Sequence, residues 1–482
     1  MKQLLKSSSI YVFLGFLPMG VNFLLAPLYS HILSPEENAL LGQAIIFQSF
    51  LSIFLNLSID SAFSRFYFDY YKDEVLLKKY MSTIINFIIL LSCVSFVVLS
   101  IFGDGLFSIV QKNKTFSFHK YGVWVFLTAF CIVIQSIFLA YYRNCQKPLK
   151  FSLVSLSFFF SGIILILIGL LVFKAGALGS IIGRAAGYAI ITIILLVIFY
   201  RQNGISFEKK LLKESLRYSI PIIPYIVLMN LYGNIDRILI ERYFTLNELG
   251  IYNFAFLLSG AVSVFVSSCQ NAIGPVIYKV LADQEEGYER RVSDLFKMFH
   301  FVNTAIITVG LAVTVQFVQL FIAPAYHSIL NYIGILFLSF IFRVYYLVYV
   351  DSLFFYKKTR WISLITLISF LIGVSSNLIL IPKLGIMGVC ISVLIINLTQ
   401  AIGAYVQLRL YKLNLGLYNL NYNHLYTFFI LAAYFIPLIN SGYCQTNTNA
   451  YNYWPLGITI LFSVIFFIRN KDTLKQKIKL PF

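Results

Sequence analysis

Apolar residues run along this chain in blocks of 17 or more, cut by short polar stretches. A helix of that length crosses a hydrocarbon layer about 30 Å thick. Fourteen such blocks can be read, at residues 7–30, 39–63, 81–103, 121–142, 151–173, 177–200, 218–241, 250–275, 297–322, 328–352, 361–381, 385–408, 424–441 and 452–468. They predict an all-α polytopic membrane protein with about fourteen transmembrane helices. The first block is too long for the apolar core of a signal peptide, and no small-residue cleavage pattern follows it. It is therefore expected to stay as a membrane helix.

The pattern repeats. 4-LLKSS-8 returns as 211-LLKES-215, 151-FSLVSL-156 as 362-ISLITL-367, and 176-GALGSIIG-183 as 385-GIMGVCIS-392, all in order and at offsets of 207 to 211. Spans 1–6 then correspond to spans 7–12. Six spans per copy bring both copies into the membrane from the same side, so the repeat is parallel and its pseudo-two-fold axis lies along the membrane normal. The expected organisation is a six-helix bundle over 1–205, a second over 206–412, and an addition over 413–482 made of spans 13 and 14 and a basic tail. Transporters built this way carry their substrate path between the two halves.

Polar residues break the apolar pattern at regular steps. In the second span Gln48, Ser52, Asn56 and Asp60 recur every fourth residue, which puts them on one helix face. Shifted by 211, the eighth span offers Ser259, Ser263, Ser267 and Asn271. Such faces turn from lipid toward protein or water. They either glue helices together or line an aqueous path, and the carboxylate of Asp60 favours the path. In the seventh span Arg237 shares a face with Asn230, Asn234 and Glu241, at steps of 4, 3 and 4, and Asn22 in the first span matches Asn230. Asp236 points about 100° away from Arg237. It is expected to pair with an arginine on a neighbouring helix, Arg184 being the candidate, while Arg237 lines the path. A local ion network is the alternative.

Arg184 lies within 183-GRAAG-187, whose glycines allow close helix approach. Arg343 precedes Asp351 by eight residues on a similar face and either lines the path or reaches for the interface. Buried arginines cost about 2.5–3.5 kcal/mol each at the bilayer centre, so partners or an anionic ligand are implied. Pro18, Pro27, Pro221 and Pro224 interrupt the first and seventh spans, which are repeat partners and are read as bending elements.

Composition agrees with the pattern. The 482 residues are 59% hydrophobic and 12% charged, with mean hydropathy +0.83, against about 25% charged in soluble domains. The net charge of +18 would suit nucleic acid, but its placement does not. Of 37 Lys and Arg, 28 fall in the segments on the N-terminal side of the membrane and 6 on the other, leaving only Arg184, Arg237 and Arg343 inside spans. The positive-inside rule then puts both termini in the cytoplasm. Six scattered cysteines suggest neither a metal site nor a disulfide framework. No nucleotide-binding glycine motif, catalytic triad or large catalytic loop is present, so neither cofactor nor enzyme activity is expected.

Four short stretches carry a resemblance. 33-LSPEENALLG-42 resembles the L-S-P-E-E-aromatic-Gly signature of bacterial polysaccharide flippases, departing from it at Asn38-Ala39. 245-TLNELGIYN-253 keeps its Leu-Gly-x-Tyr part, 233-GNIDRILIERY-243 resembles the family's Asp-Arg segment, and 141-YYRNCQKP-148 its short basic loop. The chain thus resembles the oligosaccharide (O-antigen, Wzx-type) flippases of the multidrug/oligosaccharidyl-lipid/polysaccharide exporter superfamily. That resemblance implies transfer of an undecaprenyl-diphosphate-linked oligosaccharide across the bacterial inner membrane by alternating access. Membrane lipids would be its surroundings, H+ or Na+ a candidate coupling ion, and a glycan polymerase and chain-length regulator candidate partners. The substrate cavity would be drawn from Asn22, Gln48, Ser52, Asn56, Asp60, Arg184, Asn230, Asn234, Asp236, Arg237, Ser263, Ser267, Asn271 and Arg343. A cation-coupled multidrug exporter of the same fold is the first alternative, and a non-transporting scaffold or glycan polymerase the second.

Overall fold

The computed structural model describes residues 17, 18, 20–111, 115–283, 285–356 and 359–411. The expected spans at 424–441 and 452–468 lie outside the described residues. Helix follows helix, with no strand among the described residues, and ten of the helices are long and apolar enough to cross a membrane. The chain divides into two compact units, Met1–Phe254 and Ala255–Phe482.

The first unit contains α1 (20–32), α2 (Pro35–Asn56), α3 (Ile59–Tyr70), α4 (Glu74–Val110), α5 (Val123–Asn144), α6 (Pro148–Leu171), α7 (Gly176–Asn203), α8 (Lys209–Ser219), α9 (Ile223–Tyr243) and the start of α10 (Leu246–Asp283). Its core is aliphatic and aromatic. Phe47, Phe107, Phe116, Phe118 and Tyr121 pack at one end, Phe63 and Tyr80 at another, with Ile84, Ile85, Ile134 and Ile137 among them.

Two expected spans are reshaped. Residues 39–63 do not form one helix: α2 stops at Asn56 and α3 starts at Ile59, because Leu57 and Ser58 both take left-handed backbone, with φ of 46° and 57°. Each such residue costs about 1–2 kcal/mol. The expected span 218–241 is preceded by the separate helix α8, then a 3-10 turn over Ile220–Ile222. Pro221 and Pro224 are the second residues of that turn and of α9, within the first turn, where no helical carbonyl needs their missing N–H groups.

The glycines around Arg184 work as the sequence indicates. A Cβ on Gly183 would lie 2.3 Å from the Leu165 carbonyl oxygen, and one on Gly187 2.5 Å from that of Ser161. Only glycine lets α7 lie against α6 at this distance, and the Ser161 hydroxyl uses it to donate to the Gly187 carbonyl at 3.0 Å. The segment after α7 is fastened to α4. Ser206 N–H donates to the Ser82 hydroxyl (2.9 Å), the Asn86 amide to the Ser206 carbonyl (2.9 Å), and Glu208 N–H to the Thr83 hydroxyl (3.0 Å).

The second unit holds the rest of α10, α11 (Tyr288–Phe321), a 3-10 stretch over Pro324–Asn331, α12 (Ile333–Phe355), α13 (Thr359–Leu384) and α14 (Ile386–Leu410). α12 is buried over most of its length, and α11 and α14 pack against it.

Candidate functional site

The start of α2 shows how the first unit fixes its polar elements. Ser34 accepts from Glu37 N–H (3.2 Å), and Glu37 accepts in return from Ser34 N–H (3.1 Å). This reciprocal cap satisfies two N–H groups that no helical carbonyl reaches. The other Glu37 oxygen accepts from Ala177 N–H at the head of α7 (3.2 Å), where the positive end of a helix favours a carboxylate. The same cap recurs 211 positions on, between Thr245 and Glu248 at the start of α10. The two starts also meet. The Asn38 amide donates to the Gly250 carbonyl (2.9 Å), and a Cβ on Gly250 would fall 1.6 Å from the Pro35 carbonyl oxygen. So Asn38, where the sequence departs from the flippase signature, has a job of its own.

Behind this contact runs a ladder of polar side chains. The Arg237 guanidinium donates to the Asn234 side-chain oxygen (3.1 Å), and the Asn234 amide to the Asn230 side chain (3.2 Å) and carbonyl (2.9 Å). Asn230 then accepts from the Ser49 hydroxyl of α2 (3.1 Å). The face drawn from the 4-3-4 spacing is therefore real, and its lower rungs face α2. Arg237 is only 9% exposed.

Asp236 corrects an expectation. Its carboxylate is held by the Tyr252 hydroxyl and by Arg237 N–H (2.9 Å), not by Arg184. The phenol arrives because α10 starts only three residues after α9 ends. Arg184 lies near Tyr29 of α1 instead. Glu241, on the same face as Arg237, is buried next to Gln43 of α2.

The second-span stripe is split by the break at Leu57–Ser58. Gln48, Ser52 and Asn56 stay on α2 and Asp60 lies on α3, yet Asn56 bridges the gap by donating to Asp60 (2.8 Å). All four are half-buried, as is Asn22 of α1. The spacing did not single out Gln43, Ser49 or Tyr252. Gln43 and Ser49 fall off the four-residue stripe, and a tyrosine in a chain with 33 of them carries no signal.

In the second unit, the α10 hydroxyls bond mostly to their own helix: Ser259 to the Phe256 carbonyl (3.1 Å) and Ser267 to that of Ser263 (2.9 Å), while Asn271 is exposed. Arg343 donates to Gln400 of α14 (3.0 Å) and lies over the Tyr346 ring, so it has partners within its unit. Asp351 accepts from Gln270 (3.1 Å). Among the described residues no group of three His, Cys, Asp or Glu could hold a metal ion.

The model of a family described as polysaccharide biosynthesis protein matches residues 4–281, more than half the chain. A Haemophilus influenzae protein of the Lsg locus is 27% identical over 418 residues, covering 80% of this chain and 95% of that protein. A membrane protein of the same organism is 25% identical over 389 residues, covering 77% and 88%. Among solved structures, the lipid II flippase MurJ in an inward closed conformation superposes with TM-score 0.71 at 16% identity, covering 98% of this chain and all of that one. An inward-facing MATE multidrug transporter of the MOP superfamily gives 0.64 at 14%, covering 82% and 95%. These structural likenesses establish the all-α polytopic fold.

Proposed function

We propose, from the premise that this chain belongs to the polysaccharide biosynthesis protein family, that it is a flippase for an undecaprenyl-diphosphate-linked oligosaccharide. It works in the bacterial inner membrane with both termini in the cytoplasm, exposing a polar path to each side in turn. It is a transporter, not an enzyme. The observation that carries this reading is the ladder of half-buried Ser49, Asn230 and Asn234 leading to buried Arg237. A diphosphate seeks a guanidinium, and sugar hydroxyls seek amides and hydroxyls. Such groups along a membrane helix are costly, and an anionic, hydroxyl-rich headgroup would give them a use beyond holding helices together. The lipid tail needs no polar partner and can remain in the bilayer.

The test is export. Arg237→Ala and Arg184→Ala are expected to lower surface glycan at least roughly tenfold, about 1.4 kcal/mol in transport, while the protein still inserts and folds. Normal surface glycan in both variants would remove these arginines from the substrate path.

The MATE likeness favours one other reading, a cation-coupled multidrug exporter. It would need a coupling carboxylate, and Asp60 with its Asn56 partner is the group to change. If the chain drives ion-gradient-dependent drug efflux that Asp60→Asn abolishes, and deleting the chain leaves surface glycan unchanged, the multidrug reading replaces the flippase one.

A further inference from the structure

Glu241 is 3% exposed and Gln43 4%, and they stand side by side where α9 meets α2. Both oxygens of Glu241 and both polar atoms of Gln43 lack an aligned hydrogen bond. A buried carboxylate in that state is costly, and four neighbouring polar atoms left idle together are rare. One proton changes all of it. A neutral carboxylic acid carries one O–H donor and one carbonyl acceptor. The Gln43 amide has the opposite pair, so the two can close a two-point hydrogen-bonded ring.

Most of the charged and titratable groups on the surrounding elements are already hydrogen-bonded or exposed. On α9, Asp236 is held by Tyr252, Arg237 is bonded to Asn234, and Arg242 is exposed. On α2, Glu37 is bonded to Ala177 N–H and Glu36 is exposed. On α10, Glu248 is bonded to Thr245 and Tyr252 to Asp236. On α7, half-buried Arg184 lies near Tyr29 of α1. A metal ion fits poorly, because hard cations want six or so oxygens and only three idle ones are offered here, two from Glu241 and one from Gln43.

We propose that Glu241 is a proton-binding site whose neutral form latches α9 to α2. Binding the proton converts the carboxylate to the acid, and releasing it restores the charge, with no other bond made or broken. The charged form wants water, so proton loss loosens the contact and a loosened contact favours proton loss. The adjacent Arg242 and Tyr243 are exposed, which gives the proton a short route. In the proposed orientation this end of α9 lies on the side of the membrane away from the cytoplasm, so the latch would respond to acidity there. It rests on the transport reading for its purpose but not for its measurement.

The experiment is amide hydrogen exchange of the purified full chain in lipid nanodiscs, followed over residues 38–47 and 237–245. In the wild type, protection corrected for intrinsic pH dependence should fall about tenfold or more between about pH 5 and about pH 9. Glu241→Gln, which stays neutral, should hold the acid-side protection throughout. A flat wild-type profile overturns the latch. A profile equally steep in Glu241→Gln overturns the assignment to this residue. Protection that follows sodium against potassium at fixed pH overturns the proton in favour of a cation. If Glu241→Gln does not fold, Gln43→Leu serves: its midpoint should shift, and an unchanged midpoint overturns the pairing. A pH response without glycan export would leave the latch standing and remove the flippase reading; export without a pH response does the reverse.

Discussion

Tyr252 closes one side of the buried Asp236 carboxylate. Removing its hydroxyl leaves an oxygen of a buried acid without that donor, which costs about 1–3 kcal/mol. Tyr252→Phe should therefore lower the unfolding midpoint in detergent, and adding Asp236→Asn should recover part of the loss by removing the charge. A double variant no better than the single one would show that the phenol matters for packing alone. The residue scale also shows what spacing can reveal. Asn230, Asn234 and Arg237 were legible as one face because helix geometry fixes which residues are neighbours along the axis. The partner of Asp236 was not legible, since it depends on which helix stands opposite. An arginine seemed the natural choice, but the chain supplied a tyrosine from the very next helix.

Among the elements, the heads of α2 and α10 are the tightest joint. Gly250→Ala would drive a Cβ into the backbone oxygen of Pro35, which no rotamer change relieves. Forced overpacking costs about 1–3 kcal/mol, and the Asn38 bond to Gly250 would be strained with it. Gly233→Ala is the matched control: a Cβ there meets nothing, and α9 should gain about 0.5–1 kcal/mol. Thermal melts of the two variants should move in opposite directions. Ser34-Pro35, Lys147-Pro148 and Gly385 mark helix starts, yet the expected spans at 39–63 and 151–173 began four and three residues inside the first two. The break after Asn56 was not read at all, because neither Leu57 nor Ser58 is a glycine or proline that would signal left-handed backbone or a helix stop. α8 was also missed: its LLKES is amphipathic and basic, and its end blended into the apolar run that follows.

For the whole molecule, the sequence told more than for any one side chain. The count of apolar blocks, the halves of similar pattern and the basic bias all follow from the bilayer as solvent. The all-α polytopic architecture holds for the described helices. The bias also makes a topological prediction. Alkaline phosphatase fused after Lys174 should be active, and fused after Lys147 it should be silent; the reverse result would invert the proposed orientation. One further consequence follows from how far the chain must reach to finish α2. Its partners include Ala177, Asn230 and Gly250, so about two hundred residues must leave the ribosome before Asn38 and Ser49 are covered. Until then a nascent chain carries the Asn38 amide without its Gly250 partner, and the Ser49 hydroxyl has only the Ile46 carbonyl of its own helix. A stop codon anywhere before Gly250 should therefore yield a fragment that is cleared, not a half-transporter waiting for its complement.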